Sequence, residues 1–172
     1  MVELDKTERQ MILLLQEDGR MSFVDMAKAI GVTEGTVRRK FNRLVDEGII
    51  HIAAVADPFR IGFETPALIG LNVQTAEIEN VVHWLCSMPR IRYVAASTGD
   101  FDIIAEGYFA SNAELSEFVI EQLGQAKGIV DSATSLELSI KKQTFTWGIA
   151  GHRPERSVRP LIESASGDLT VE

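Results

Sequence analysis

The segment T-E-G-T-V-R-R-K-F-N-R-L-V-D-E-G, Thr33 to Gly48, gathers Arg38, Arg39, Lys40 and Arg43 within six residues, with Asn42 among them. Guanidinium forks pair with guanine edges or phosphates, and a carboxamide pairs with adenine. Displayed on one surface, these side chains imply contact with duplex DNA. A second segment, T-G-D-F-D from Thr98 to Asp102, reads first as a tight turn, because Gly-Asp pairs commonly join antiparallel strands.

The basic groups act together only if the segment is a helix. Thr33 can cap its first free N–H groups, and Gly48 can take the left-handed conformation that ends it. Val37, Phe41, Leu44 and Val45 recur at i, i+4, i+7 and i+8, so they are expected to share the buried face. Arg39, Asn42 and Arg43 then turn outward. Gly35 and Thr36 lie near the exposed N-terminal end, with Arg38 on the flank. A basic helix face is usually only solvated, so the neighbouring elements decide its role.

Two helical patterns precede it. Asp5 and Glu8 form a D-x-x-E capping arrangement, and Met11, Ile12, Leu14 and Leu15 give an apolar stripe running to Asp18-Gly19. Ser22 caps a short second helix in which Ala27 and Ile30 face inward and Gly31 stops the run. The step I-G-V-T, Ile30 to Thr33, is the tight turn of a helix-turn-helix. Ile49 to Ala56, closed by Asp57-Pro58, is expected as a strand in the position of a wing.

Bulk properties narrow the classes. The chain has 172 residues and a net charge of −8. Residues 1 to 60 hold nine Lys and Arg against ten Asp and Glu, while the remainder holds eight against fifteen. The acid therefore lies away from the basic helix, where a local positive field can persist. Such a balance implies modest DNA affinity per subunit and a need for more than one copy. Cys86 is alone, which excludes an internal disulfide and a Cys-rich zinc site; its apolar helical setting predicts a small buried hydrophobe. No segment approaches the ~20 apolar residues of a membrane helix and no signal-like run is present, so a cytoplasmic protein is expected.

From Thr65 the pattern alternates. Ala67 to Gln74 is a strand, and Ile78, Val81, Val82 and Leu85 mark a helix ended by Met88-Pro89. Strands at Ile91 to Ser97 and Ile103 to Phe109 flank the T-G-D-F-D turn. Ser111 and Glu114 cap a second helix carrying Leu115, Phe118, Val119 and Leu123, and Ile129 to Ile140 alternates as a last strand. The order βαββαβ predicts a ferredoxin-like unit, making the whole chain α+β. The expected domains are residues 1–50 as a winged helix-turn-helix, 51–65 as wing and hinge, 66–147 as the ferredoxin-like domain and 148–172 as an extension.

Residues 3 to 147 resemble the Lrp/AsnC, or feast/famine, family of prokaryotic transcription regulators. The matching stretches are L-D-K-T-E-R-Q-M-I-L-L-L-Q-E-D-G-R, T-V-R-R-K-F-N-R-L-V-D-E-G-I-I, D-P-F-R-I-G and T-G-D-F-D, in that order. The resemblance implies that the first domain binds DNA and that the second senses an effector and drives oligomerisation. Dimers assembling into larger homo-oligomers are implied, with an amino acid or related small molecule as the effector. Ser22, Thr33, Gly35, Thr36, Arg38, Arg39, Asn42 and Arg43 are the candidate DNA-binding residues. Thr98, Gly99, Asp100, Phe101 and Thr134 are the candidate effector-binding residues; relatives commonly carry Tyr where this chain has Phe101.

Siroheme decarboxylases resemble the same two-domain architecture, and a metabolite-sensing module that has lost DNA binding would share it too. An enzyme of that kind needs convergent His and Arg residues, and only His51, His83 and His152 are available, with no clustering. No P-loop, dinucleotide-binding glycine motif, Cys–His metal spacing or placed nucleophile–base set occurs. No cofactor, metal or catalytic activity is expected. The tail from Gly148 is rich in small and polar residues and is expected to be loosely held, with Arg153, Arg156 and Arg159 available to DNA or a neighbouring subunit.

Overall fold

The computed structural model describes residues 2–144 and Trp147, so the extension with its three arginines, and His152, lies outside the described residues. The described chain divides into two compact units, residues 2–55 together with 141–144 and residues 56–140. Among the described residues no helix is long and apolar enough to cross a membrane.

The first unit contains α1 (Lys6–Glu17), α2 (Phe23–Ile30) and α3 (Glu34–Asp46). Each begins at the expected cap. Asp5 accepts from the Glu8 N–H while Glu8 accepts from the Asp5 N–H, Ser22 accepts from Asp25, and Thr33 accepts from Thr36. Gly31 and Gly48 adopt positive φ and let the chain leave α2 and α3. Met11, Ile12, Leu15, Met26, Ala27, Val37 and Leu44 form the buried cluster. Phe41 is half-buried against Phe23, ring centroids 5.0 Å apart. Val45, expected inside, is 38% exposed. It lies about 100° around the helix from the fully buried Leu44, beyond the edge of the stripe.

The expected wing strand from Ile49 to Ala56 does not form. The N–H groups of Ile49 and Ile50 both donate to the Leu44 carbonyl to close α3. Residues 51–56 are exposed and have no ladder partner among the described residues. A strand needs a neighbour for its main-chain groups, and one described chain supplies none.

The second unit runs β1 (Thr65–Val73), α4 (Ile78–Cys86), β2 (Ile91–Ala96), β3 (Ile103–Phe109), α5 (Asn112–Glu117) and β4 (Ile129–Leu136). This is the expected βαββαβ unit, and its sheet order β2-β3-β1-β4 with antiparallel pairing is ferredoxin-like. Alternation along β1 sends Ala67, Ile69, Leu71 and Val73 into a core shared with Val81, Leu85, Ile103, Phe109, Phe118 and Leu123. A π-helical stretch, Phe118–Leu123, continues α5 and brings two side chains five residues apart into that core.

Two further expectations are corrected. Cys86 is exposed, because α4 turns Val81 and Leu85 inward and the next residue falls outside that stripe. The last strand stops at Leu136 rather than Ile140. Glu137 donates to the Pro66 carbonyl near the start of β1, and beyond it the neighbouring strand has run out; Leu138 is 90% exposed.

Among the described residues, no helix covers the opposite face of the sheet. Register places Leu68, Glu106 and Tyr93 side by side there, and beside them Gly70, Ile104 and Ala95. Leu68, Ile104 and Tyr93 are exposed apolar or aromatic side chains on this face.

Candidate nucleic-acid interface and effector loop

The basic groups of α3 differ in how free they are. Arg39 and Asn42 are exposed and make no hydrogen bond or ion pair among the described residues. Arg38 lies on the flank, as expected; its Nη2 is 2.7 Å from Glu34 Oε1, and its guanidinium stands 5.0 Å from the centre of the Phe23 ring. That stacking fixes the side chain while leaving it largely exposed.

Lys40 and Arg43 are committed elsewhere. Glu8 on α1 is fully buried, and both of its oxygens are used. Oε2 accepts from the Asp5 N–H at 3.0 Å, while Oε1 lies 2.7 Å from Arg43 Nη1 and 3.4 Å from Lys40 Nζ. Lys40 also pairs with the Asp5 carboxylate, which holds the Asp5 pKa below the usual carboxylate value. Arg43 Nε donates to Glu47 Oε1 at 2.9 Å, and that carboxylate, together with Glu8, raises the pKa of the guanidinium. Arg43, expected to face outward as freely as Arg39, is instead braced between two acids. Burying Glu8 without its cations would carry a large desolvation cost, so the network is part of how α3 is held.

At the N-terminal end of α3 the polar groups serve as caps. The Thr33 hydroxyl accepts from the Thr36 N–H and shares a 2.9 Å hydrogen bond with the Thr36 hydroxyl. The Ser22 hydroxyl donates to the Asp25 carboxylate at 2.6 Å. Gly35 is exposed, and a Cβ there would meet no atom within 4 Å. This end therefore offers a surface that another backbone can approach closely.

The second candidate site is the loop between β2 and β3. Thr98, Gly99 and Asp100 are exposed, and Asp100 is unpaired among the described residues. Gly99 has φ of 122°, a conformation other residues rarely adopt. The base of the loop is fastened at several points. The Ser97 hydroxyl donates to the Phe101 carbonyl at 2.6 Å, the Val73 N–H donates to Asp102 Oδ2 at 2.8 Å, and the Asp102 N–H donates to the Leu71 carbonyl. The Phe101 ring lies so close over Gly70 that a Cβ at that position would fall 2.5 Å from it. The structure thus brings Thr98, Gly99, Asp100 and Phe101 together but not Thr134. Thr134 sits opposite Ile69, on the other face of the sheet from Gly70.

Sequence reasoning missed the supports of both sites. Glu8 reads as a capping residue, and its contacts with Lys40 and Arg43 span 32 and 35 residues. The pairing of Arg43 with Glu47 was visible as an i, i+4 spacing of opposite charges. The seating of Phe101 on Gly70 carries no sequence signal beyond a glycine inside a strand. His51 and His83 are exposed in separate units, and no group of potential metal ligands occurs among the described residues.

Comparison with known proteins supplies the context. A model described as winged helix-turn-helix DNA-binding matches residues 4–51, and one described as the Lrp/AsnC ligand binding domain matches residues 66–147. An uncharacterised HTH-type transcriptional regulator of Pyrococcus horikoshii is 39% identical over 150 residues, 87% of this chain and 92% of the relative. A regulator of the same description from Pyrococcus abyssi is 37% identical over the same shares of both chains. Among solved structures, a transcriptional regulator from Neisseria meningitidis in complex with L-Met superposes with a TM-score of 0.79 at 25% identity, covering 84% of this chain and 96% of that one. The AsnC protein of E. coli shares the fold, with a TM-score of 0.78 at 20% identity over 84% of this chain and 99% of that one.

Proposed function

This chain belongs to the Lrp/AsnC family of DNA-binding transcriptional regulators, and we propose that it reads its operator through Arg39 and Asn42 on α3. The observation that carries this reading is the exposure of both groups without partners among the described residues, on a helix otherwise rich in tied charges. Arg39 meets a guanine edge or a phosphate, Asn42 an adenine edge. Thr33, Gly35, Thr36 and Arg38, with Ser22 at the start of α2, approach the sugar–phosphate backbone.

One recognition helix reads only a few base pairs, so two or more copies must act at fixed spacing. Homodimerisation fits the sheet face that no described helix covers, where Leu68, Tyr93 and Ile104 are exposed. The effector is a small molecule carrying an amino group, held by Asp100 with Gly99 admitting it close to the main chain. An amino acid suits that chemistry, and the structural neighbour solved with L-Met supports the class. The ligand acts by binding one assembly state more tightly than another, since equal binding shifts no equilibrium.

Two measurements test this. Arg39→Ala is expected to weaken binding to a selected duplex by about 1–3 kcal/mol and to relax base preference at one position per half-site. Unchanged affinity and footprint would rule out the assigned reading face. Sedimentation with a panel of amino acids, L-methionine included, is expected to show a ligand-dependent change of assembly that Asp100→Asn abolishes. No change across the panel would remove the effector reading while leaving DNA binding intact.

A further inference from the structure

We infer that Arg43 does not touch DNA, and that the buried Glu8 is a positioning residue which, with Glu47, spends the Arg43 guanidinium on orienting α3. The inference rests on α3 being the DNA-reading helix and refines which of its cations does the reading.

An arginine recognises a guanine or a phosphate through one of two forks, the Nε/Nη2 edge or the Nη1/Nη2 end. In Arg43 the first fork is closed, with Nε 2.9 Å from Glu47 Oε1 and Nη2 3.4 Å from Glu47 Oε2. The second has lost an arm, with Nη1 2.7 Å from Glu8 Oε1. A bidentate contact with DNA would therefore compete with one of these two carboxylates.

Pulling Arg43 away would leave Glu8, fully buried, with Lys40 Nζ at 3.4 Å as its remaining cation. The cluster of Asp5, Glu8, Lys40, Arg43 and Glu47 carries three negative and two positive charges, so it presents no excess of positive field to a phosphate. Arg39 has neither restraint.

Glu8 thus faces α3 from α1 and joins these two helices of the reader. Its Oε2 closes the cap of α1, and its Oε1 fixes two cations one turn apart on α3. Those cations set the roll of α3 about its axis, and with it the direction in which Arg39 and Asn42 point.

The test uses the full chain and a duplex enriched by the wild-type protein from a random-sequence pool, with affinity measured over a range of salt concentrations. Each phosphate contact contributes about 0.9 to the slope of log K against log salt. Arg43→Gln, assayed where its helical circular dichroism matches wild type, is expected to keep the slope, because no phosphate contact is lost, while base preference shifts as α3 loses one of its two braces. Glu8→Gln combined with Glu47→Gln is expected to free Arg43, raising the slope by roughly one contact per subunit and broadening base preference. Adding Arg43→Gln to that pair should abolish the gain.

A mere loss of stability would not raise the slope, so this readout separates positioning from folding. The inference is overturned if Arg43→Gln alone lowers the slope, or if the double variant leaves the slope unchanged. Failure of the wild type to enrich any duplex would instead overturn the DNA reading, and this inference with it.

Discussion

The first unit closes seven buried apolar residues around α1, α2 and α3 and buries a carboxylate, Glu8, beside them, whereas the second packs twelve buried residues with no charge among them. The contrast matches what each unit must control. Apolar contact is non-directional and stabilises a shape, while an ion pair with two cations also fixes an orientation. A DNA reader needs its helix turned to a defined angle. A sheet that carries a loop at one edge needs mainly to be stiff.

The largest expected effect tests the apolar side of this contrast. Phe109 is fully buried against Phe118, with ring centroids 5.3 Å apart. Phe109→Ala should cost about 3–5 kcal/mol through lost burial and the cavity left behind. Calorimetry or urea denaturation should show that loss in the transition of the second unit. A cost below about 1 kcal/mol would mean that this core is not what holds the sheet.

The ionic side is tested by Lys40→Met. The Lys40 side chain is only 12% exposed, and it ties both Asp5 and Glu8. Methionine keeps the stem packed and removes the charge, leaving Glu8 with Arg43. The expected loss is about 1.5–3 kcal/mol, the range for a hydrogen bond to a charged group. At temperatures where the variant stays folded, DNA affinity should fall as well, because α3 is then free to roll. A variant that melts lower yet binds DNA as tightly as wild type would show that the network serves stability alone.

How much of this could be read from the chain depended on how local the physics was. Asp5 with Glu8, Ser22, Thr33, Gly48, and Ser111 with Glu114 are each signals confined to one helix end, and every one of them marks a helix end in the structure. The limits of β3 were read to the residue, because Ile103 to Phe109 alternates between two distinct faces. Failures arose where the deciding partner was distant or missing. Glu8 gave no hint of partners on α3, Cys86 and Val45 lay one position off their stripes, and the segment after Gly48 had a strand-like composition but no strand to pair with. Of the loop site, Gly99 and Asp100 were legible as a turn. Its fastening by Ser97, Asp102 and Gly70 required the fold.

Gly70 offers a smaller perturbation that separates loop position from core integrity. Gly70→Ala places a methyl group 2.5 Å from the Phe101 ring, on the face away from the core. The ring is half-buried and can turn aside, so the stability cost should be at the low end of overpacking, about 1 kcal/mol. The loop carrying Thr98 to Asp100 should move with it, and any amino-acid response should weaken far more than stability does. Phe101→Ala in the same chain removes the clash, so the stability costs of the two substitutions should be less than additive. Strict additivity would mean that ring and glycine are not coupled.

The smallest expected effect concerns a charge the second unit does carry, outside its core. Glu137 lies just past β4, its Oε2 buried without a hydrogen-bond partner among the described residues, and burial followed by repulsion from Glu106 pushes its pKa above the ordinary 4.5. A carboxyl whose pKa is higher in the folded state binds its proton more tightly there than in the unfolded chain. Below 4.5 the group is protonated in both states and costs nothing. As pH rises through the unfolded value and on through the folded one, ionisation is progressively penalised in the folded state and stability is lost. Glu137→Gln removes the charge, so it should match wild type at pH 4 and exceed it slightly at pH 8 in denaturation midpoint. The gain should be smaller than any change predicted above, because the residue is only partly buried and solvent screens it. An equal midpoint difference at both pH values would assign the effect to packing or hydrogen bonding rather than charge. A gain confined to pH 8 would mean that the sheet unit tolerates this stranded carboxylate at a cost.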